Sequence, residues 1–294
     1  MKSLKKEDIP QAVFDLYDDY AHNKIQRREF IEKLSLFAIG GITLPSLLSF
    51  MMPNYLDTLL VDPNDPELDS DFITYNSDKG GGEIKALLSK PDTFEGKLGG
   101  IVVVHENRGL NPYIEDTARR GALEGFITIA PDALTPLGGY PGNDDEGRTM
   151  QRQRDRNEML EDFIAAFEYL KNHPDCNGKI GVVGFCFGGW ISNMMAVKIA
   201  NLAASVPFYG GQPKENIDKI NAPLMLQFAG LDKRVNAGWP EFEKALKAFK
   251  KDYQAFVYPE VNHGFHNTTT ARYNKEAAEL AWKRTIDFFK EKLV

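Results

Sequence analysis

The sequence predicts an α/β fold: a mostly parallel central sheet with helices on both faces, plus an N-terminal helical extension. Three observations predict it. From about residue 70, short apolar β-branched runs alternate with longer amphipathic stretches, a succession that folds as parallel strands joined by crossing helices. The joints between them are rich in Gly, Pro, Asn and Asp. One apolar run, Ile180 to Val183, passes directly into GFCFGG and then into a helical stretch.

The elements follow in order. Asp8 to Tyr20 reads as an acidic amphipathic helix with Val13, Leu16 and Tyr17 at helical spacing. Leu34 to Met52 carries no charge and is just long enough to span a bilayer, and Arg27 and Arg28 precede it as in a twin-arginine export signal. The charges ahead of it balance, no A-x-A-like cleavage site follows, and Gly40, Gly41 and Pro45 interrupt it. We therefore expect a packed helical appendage on a cytoplasmic protein. Export or membrane anchoring through residues 27–52 is the alternative. VDPNDPELDSD reads as a linker, so the chain divides into an extension and linker over 1–68 and a main domain over 69–294.

In the main domain, FITYNSDKGGGEIKALLSKP reads as a hairpin turning at Gly80 to Gly82. IVVVH (Ile101 to His105) has the unbroken apolar character of a strand buried on both faces. A helix over Ile114 to Leu123, the strand FITIAPD and a polar Gly-rich stretch come next. A helix over Met159 to Leu170 leads to the strand KIGVVG and the helix GGWISNMMAVKIA. The strands AASVPFYG and PLMLQFAG, a helix over Trp239 to Phe249, the strand QAFVYP and a helix over Ala277 to Phe289 complete the chain.

Composition bounds the function. A chain of 294 residues with a formal net charge of −7 offers no electrostatic footprint for nucleic acid or an anionic membrane. No phosphate loop, dinucleotide fingerprint or zinc spacing is present, so neither a cofactor nor a metal is expected. Asn143 to Glu146 is acidic but lacks calcium-loop spacing. No feature sets an oligomeric state. The two cysteines, Cys176 and Cys186, flank a predicted strand. An extended span of that length holds them roughly 30 Å apart, beyond disulfide reach.

The stretch GFCFGG gives the chemistry. G-x-C-x-G between a strand and a helix is the nucleophile elbow of the α/β-hydrolase fold, with Cys186 as nucleophile. Backbone segments approach closely there, which requires Gly184 and Gly188. A helix N-terminus favours thiolate over thiol. Asp232 follows the strand ending at Ala229 and Gly230, and His263 follows the strand ending near Tyr258. The order nucleophile, acid, histidine is that of the fold, and all three lie past strand carboxyl ends, where open α/β sheets build their sites. His263 would move the proton, Asp232 would orient it, and Cys186 would attack an acyl carbon to give a thioester that water hydrolyses. The alternative is a hydrolase-fold protein that binds ligand without catalysis.

VVVHENRGLNPYIEDTARR, the strand ending APD, GKIGVVGFCFGGW, VPFYGG, AGLD and NHGFHN resemble the dienelactone hydrolase (carboxymethylenebutenolidase-like) family. AHNKIQRREF and GGYPGNDDEGR resemble a bacterial subgroup with a helical leader. The resemblance implies that Glu106 meets the thiol and helps to ionise it, and that the backbone N–H groups of Asn107 and Phe187 form the oxyanion hole. It also implies a thiol that rests protonated. Family members active on dienelactones carry arginines where this chain has Asn267 and Pro136. Neither can make a charged, bidentate contact to a carboxylate, so the expected substrate is a small ester or lactone other than dienelactone, with neutral ones turned over at least as well as carboxylate-bearing analogues. Arg108, Tyr209, His266 and Asn267 are candidate pocket residues. His105 reads as a core histidine, His22 and His173 as surface residues, and Cys176 as inert.

Overall fold

The computed structural model describes residues 4–55 and 58–294; residues 1–3, 56 and 57 of the expected N-terminal extension lie outside the described residues. Three helices open the chain: α1 (Gln11–Ala21), α2 (Arg27–Ser35) and α3 (Leu44–Met51). Their inward faces make a small core of their own, with Val13, Phe14, Tyr17, Phe30, Leu34, Leu47 and Met51 buried and Ala271 of the main domain packed against it. The uncharged run does not form one helix. It breaks between α2 and α3, where Gly40 and Gly41 take φ of 62° and 91°, a conformation that glycine adopts at no steric cost. Among the described residues no helix is long and apolar enough to cross a membrane.

The sheet begins with the hairpin β1 (Leu68–Ser77) and β2 (Gly82–Pro91), closed by the pair Ser77 and Gly82. Then come β3 (Leu98–Val104), α4 (Pro112–Leu123), β4 (Ile127–Pro131), α5 (Asp144–Gln151), α6 (Arg156–Lys171), β5 (Cys176–Phe185) and α7 (Phe187–Lys198). The chain ends with β6 (Ala204–Phe208), β7 (Leu224–Ala229), α8 (Lys233–Asn236), α9 (Trp239–Ala248), β8 (Tyr253–Tyr258) and α10 (Lys275–Leu293). The eight strands form one sheet in the order β1-β2-β4-β3-β5-β6-β7-β8. The hairpin and its junction with β4 are antiparallel; every other pairing is parallel. This is the α/β-hydrolase arrangement.

The apolar runs read as two-sided strands do bury both faces. In β3, Val102 and Val104 join the core that contains Phe163, Phe167 and Ile191, while Ile101 and Val103 join the core that contains Tyr113, Phe126 and Phe289. The sheet is thus sandwiched by α6, α7 and α9 on one side and α4 and α10 on the other, as the alternating side-chain directions of a strand require.

The polar stretch after β4 contains a helix, α5, that hydrophobic periodicity does not reveal. Asn143 caps it, accepting from the backbone N–H groups of Asp145 and Glu146, and the acidic first turn suits the helix dipole. Its carboxylates are taken up locally. Asp144 accepts from Arg108, Tyr55 and Tyr140, and Asp145 from Arg27, Arg148 and Tyr20.

Candidate active site

Cys186 stands between β5 and α7 with φ 57° and ψ −110°, a conformation strained for any side chain. The surroundings enforce it. A Cβ at Gly184 would stand 2.0 Å from the carbonyl oxygen of Gly188, and one at Gly188 would stand 2.3 Å from that of Val104. The turn is therefore wedged between neighbouring strands, and its backbone is pinned by the Cys186 N–H, which donates to the Phe208 carbonyl at 3.1 Å. The result is a sulfur held at a helix N-terminus.

Asp232 follows β7 and caps α8, accepting from the Val235 N–H at 3.0 Å. Its other oxygen lies 2.6 Å from His263 Nδ1. His263, in the loop after β8, is buried, and its Nε2 has no protein partner. A ring nitrogen of His263 lies within 4.8 Å of Cys186 Sγ. The structure thus brings the three expected residues together.

It also brings a fourth that the sequence reading placed at the surface. His22, at the end of α1, puts Nε2 3.4 Å from Cys186 Sγ. Its Nδ1 lies 2.8 Å from the Asp18 carbonyl. Its ring meets that of His263 edge-on at 4.7 Å. The correction has a physical reason. Phe14, Asp18 and His22 share one helical stripe, and Phe14 is anchored in the leader core. The leader is held in place by Asp18 with Arg272 and Arg234, Gln11 with Asn262, and Asn107 Nδ2 donating to the Ala21 carbonyl at 2.8 Å.

These neighbours set the charges. Burial opposes ionisation of Cys186, but His263 and His22 beside the sulfur bring the thiol well below its ordinary value. Burial likewise opposes the charge on His263, which Cys186, Asp232 and Asp18 nevertheless raise to about 10. His22 is raised in the same way, against burial, by Cys186 and Asp18. All three directions favour charge separation between the sulfur and the imidazoles.

The other expected site residues have distinct placements. Glu106 is buried, and its Oε2 accepts from Asn267 Nδ2 at 2.8 Å. Arg108 is 2% exposed and bonds Asp144 at 2.6 Å, so its charge is met by that carboxylate. His266 is fully buried among the rings of Phe185, Phe208 and Trp282 and bonds the Tyr113 hydroxyl at 2.6 Å. Burial holds it well below the ordinary histidine value, which makes it a neutral core residue. Tyr209 packs its ring 4.8 Å from that of His263. His105 is buried against Phe163. Cys176 is buried in the core at the start of β5 and both cysteines are free thiols.

A cavity of about 220 Å³ adjoins the elbow, lined by Asn23, Asn107, Phe187, Arg148, Arg154 and Arg156 among others. A second, of about 140 Å³, lies between α1 and the loops carrying Asp232 and His263. A larger one of about 640 Å³ opens between β1 and α6 and shares no residue with the site.

The dienelactone hydrolase family profile matches residues 84–293. This chain belongs to the dienelactone hydrolase family. It is accordingly a hydrolase acting on ester or lactone bonds. A profile described as YqhI-like matches residues 1–39. The chain is 32% identical, over 74% of its length and 97% of the relative's, to a protein of Saccharolobus solfataricus provisionally named a carboxymethylenebutenolidase. It is 52% identical over 114 residues, 39% of this chain and 97% of the relative, to the hydrolase fragment YghX of Escherichia coli K12. Among solved structures, a dienelactone hydrolase from Klebsiella pneumoniae superposes with a TM-score of 0.67 at 24% identity, over 76% of this chain and 99% of its own. A dienelactone hydrolase-like promiscuous phosphotriesterase from metagenomic libraries superposes with a TM-score of 0.67 at 22% identity, over 78% and 100%. Both share the fold.

Proposed function

We propose that the protein hydrolyses small esters or lactones through a thioester on Cys186. The observation that carries this reading is the geometry of His263. Nδ1 is fixed by Asp232 at 2.6 Å, Nε2 has no protein partner among the described residues, and a ring nitrogen lies within 4.8 Å of the sulfur. The thiolate attacks the acyl carbon, and the oxyanion forms against the backbone N–H groups of Asn107 and Phe187. Collapse breaks the bond to the leaving alkoxide, which takes the proton of His263. Water then gives a proton to His263 and attacks the thioester. The acid leaves and the thiolate is restored. Glu106, one residue from Asn107, ionises the fraction of Cys186 that rests as thiol once a substrate displaces its bond to Asn267.

The elbow cavity supports a finer reading of substrate. The family's arginine positions are Asn267, bound to Glu106, and Pro136, packed on Gly81. The cations come instead from the α5–α6 junction. Arg148 and Arg154 are tied to Asp145 and Asp162. Arg156 lies over the Trp190 ring at 3.6 Å with no carboxylate partner among the described residues. An acyl group bearing a carboxylate suits this cavity better than a neutral one, whereas the sequence led us to expect neutral esters to be turned over at least as well.

The test is trapping. Incubation with p-nitrophenyl esters and quenching should give a burst of nitrophenol and an acyl adduct on the peptide containing Cys186. Turnover without any adduct on that peptide would sink the thioester.

A further inference from the structure

We propose that His22, Cys186 and His263 form a binding site for a soft divalent ion of the zinc class, and that the bound ion caps the thiol. The three ligand atoms lie within 4.8 Å of one another. Tetrahedral zinc, with Zn–S about 2.3 Å and Zn–N about 2.0 Å, separates sulfur from nitrogen by roughly 3.5 Å. His22 Nε2 and Cys186 Sγ are already 3.4 Å apart. A thiolate with two imidazoles is a donor set that selects zinc-class ions over magnesium or calcium.

The outer contacts fit as well. Zinc-binding histidines hold their other ring nitrogen against a carboxylate or carbonyl, which fixes the ring. His263 Nδ1 is held by Asp232 at 2.6 Å and His22 Nδ1 by the Asp18 carbonyl at 2.8 Å. Both Nε2 atoms are thereby presented inward, and that of His263 is buried without a partner. The carboxylate of Asp18, 3.2 Å from His22 Nδ1, adds negative charge behind the ring.

One group opposes the ion. Arg234 Nη2 lies 3.0 Å from His22 Nε2 and 3.3 Å from His263 Nδ1. Its side chain is 35% exposed and stands on the four-residue helix α8, so it can swing to solvent. Coordination needs thiolate and neutral imidazoles; the displaced protons pass to solvent, and no electron moves. Metal binding therefore strengthens as pH rises. Chelation stands on this geometry alone, whereas capping rests on Cys186 being the nucleophile.

The test titrates the full-length chain, freed of metal, with cobalt(II), a coloured stand-in for zinc. We expect one equivalent to bind with a near-ultraviolet thiolate-to-cobalt band, which zinc displaces. Cys186→Ser should abolish the band. His22→Gln should weaken binding by about tenfold or more, and Arg234→Ala should strengthen it, each with an unchanged circular dichroism spectrum. No such band in the wild type, or a band that survives Cys186→Ser, or affinity untouched by His22→Gln, overturns the site. Hydrolysis is read separately: a metal-free chain inert toward p-nitrophenyl esters and small lactones, with the cobalt band intact, would remove the catalytic reading and leave the chelate.

Discussion

His22 Nε2 lies 3.4 Å from Cys186 Sγ although the two residues are 164 positions apart. The nucleophile therefore has two imidazole neighbours, one from the hydrolase domain and one from the leader. His22→Gln removes a charge that favours thiolate. We expect the pH–rate profile for alkylation of Cys186 by iodoacetamide to move up by about one unit, so that the rate on its acid limb falls by about tenfold, since a nearby charge moves a thiol by one unit or more. Peptide mass spectrometry gives the rate, and an unchanged rate would mean that His22 is only a packing contact.

The two cysteines should separate cleanly. Cys186→Ala should abolish esterase activity. Cys176, buried in the core, has its thiol pushed up by burial and should resist alkylation. Cys176→Ala should retain activity and cost about 1 kcal/mol of stability, readable from a urea melt. Equal loss of activity in both variants would overturn the assignment of Cys186.

The pH profile of kcat/KM should be a broad bell that reports the thiolate–imidazolium pair as a unit. The acid limb should lie well below the ordinary thiol range. The alkaline limb should fall near about 10 as His263 loses its proton. The sign for stability follows: a histidine raised in the folded state contributes stability that is full below its unfolded value and is lost as pH rises through about 10. A single alkaline-rising limb at the ordinary thiol value would contradict the pair.

Glu106→Gln should lower turnover by about 10² or more, the range of a general base, while keeping the fold, because the Gln oxygen still accepts from Asn267. Asn267→Asp should instead set two carboxylates together in a buried site. A destabilisation of about 3–5 kcal/mol in denaturant unfolding is expected. Wild-type turnover by Glu106→Gln would take Glu106 out of the mechanism.

Arg156→Ala should raise KM for esters carrying a free carboxylate by about tenfold, the scale of one charge-assisted contact, and leave neutral esters unaffected. Paired assays on a monoester and its neutral analogue decide this. Equal effects on both would return the substrate to the neutral class.

Much of this was legible in the sequence. IVVVH announced a two-sided strand because both faces of β3 are buried, and GFCFGG announced the elbow because only glycine fits where Gly184 and Gly188 meet neighbouring backbone. The helix α5 was hidden because DDEGRTMQ has no apolar period; its signal was the cap, Asn143 before three acids. His22 was hidden because no local pattern says what an inward helical face will meet. The stripe Phe14–Asp18–His22 pointed inward, but its target is Cys186, which only the tertiary fold supplies.

The leader is tied to loops that come very late in the chain: Asp18 contacts Arg272, 254 residues further on, and Gln11 contacts Asn262 across 251. During synthesis α1–α3 emerge first and must stand on their own small core while the surface they dock on does not yet exist. The sheet and the elbow can form before that surface is complete, so the sulfur spends an early period without His22 or His263 beside it. Docking of the leader joins the farthest parts of the chain, the kind of remote contact that forms late, and the sulfur gains both imidazole neighbours only once the loop carrying His263 has folded.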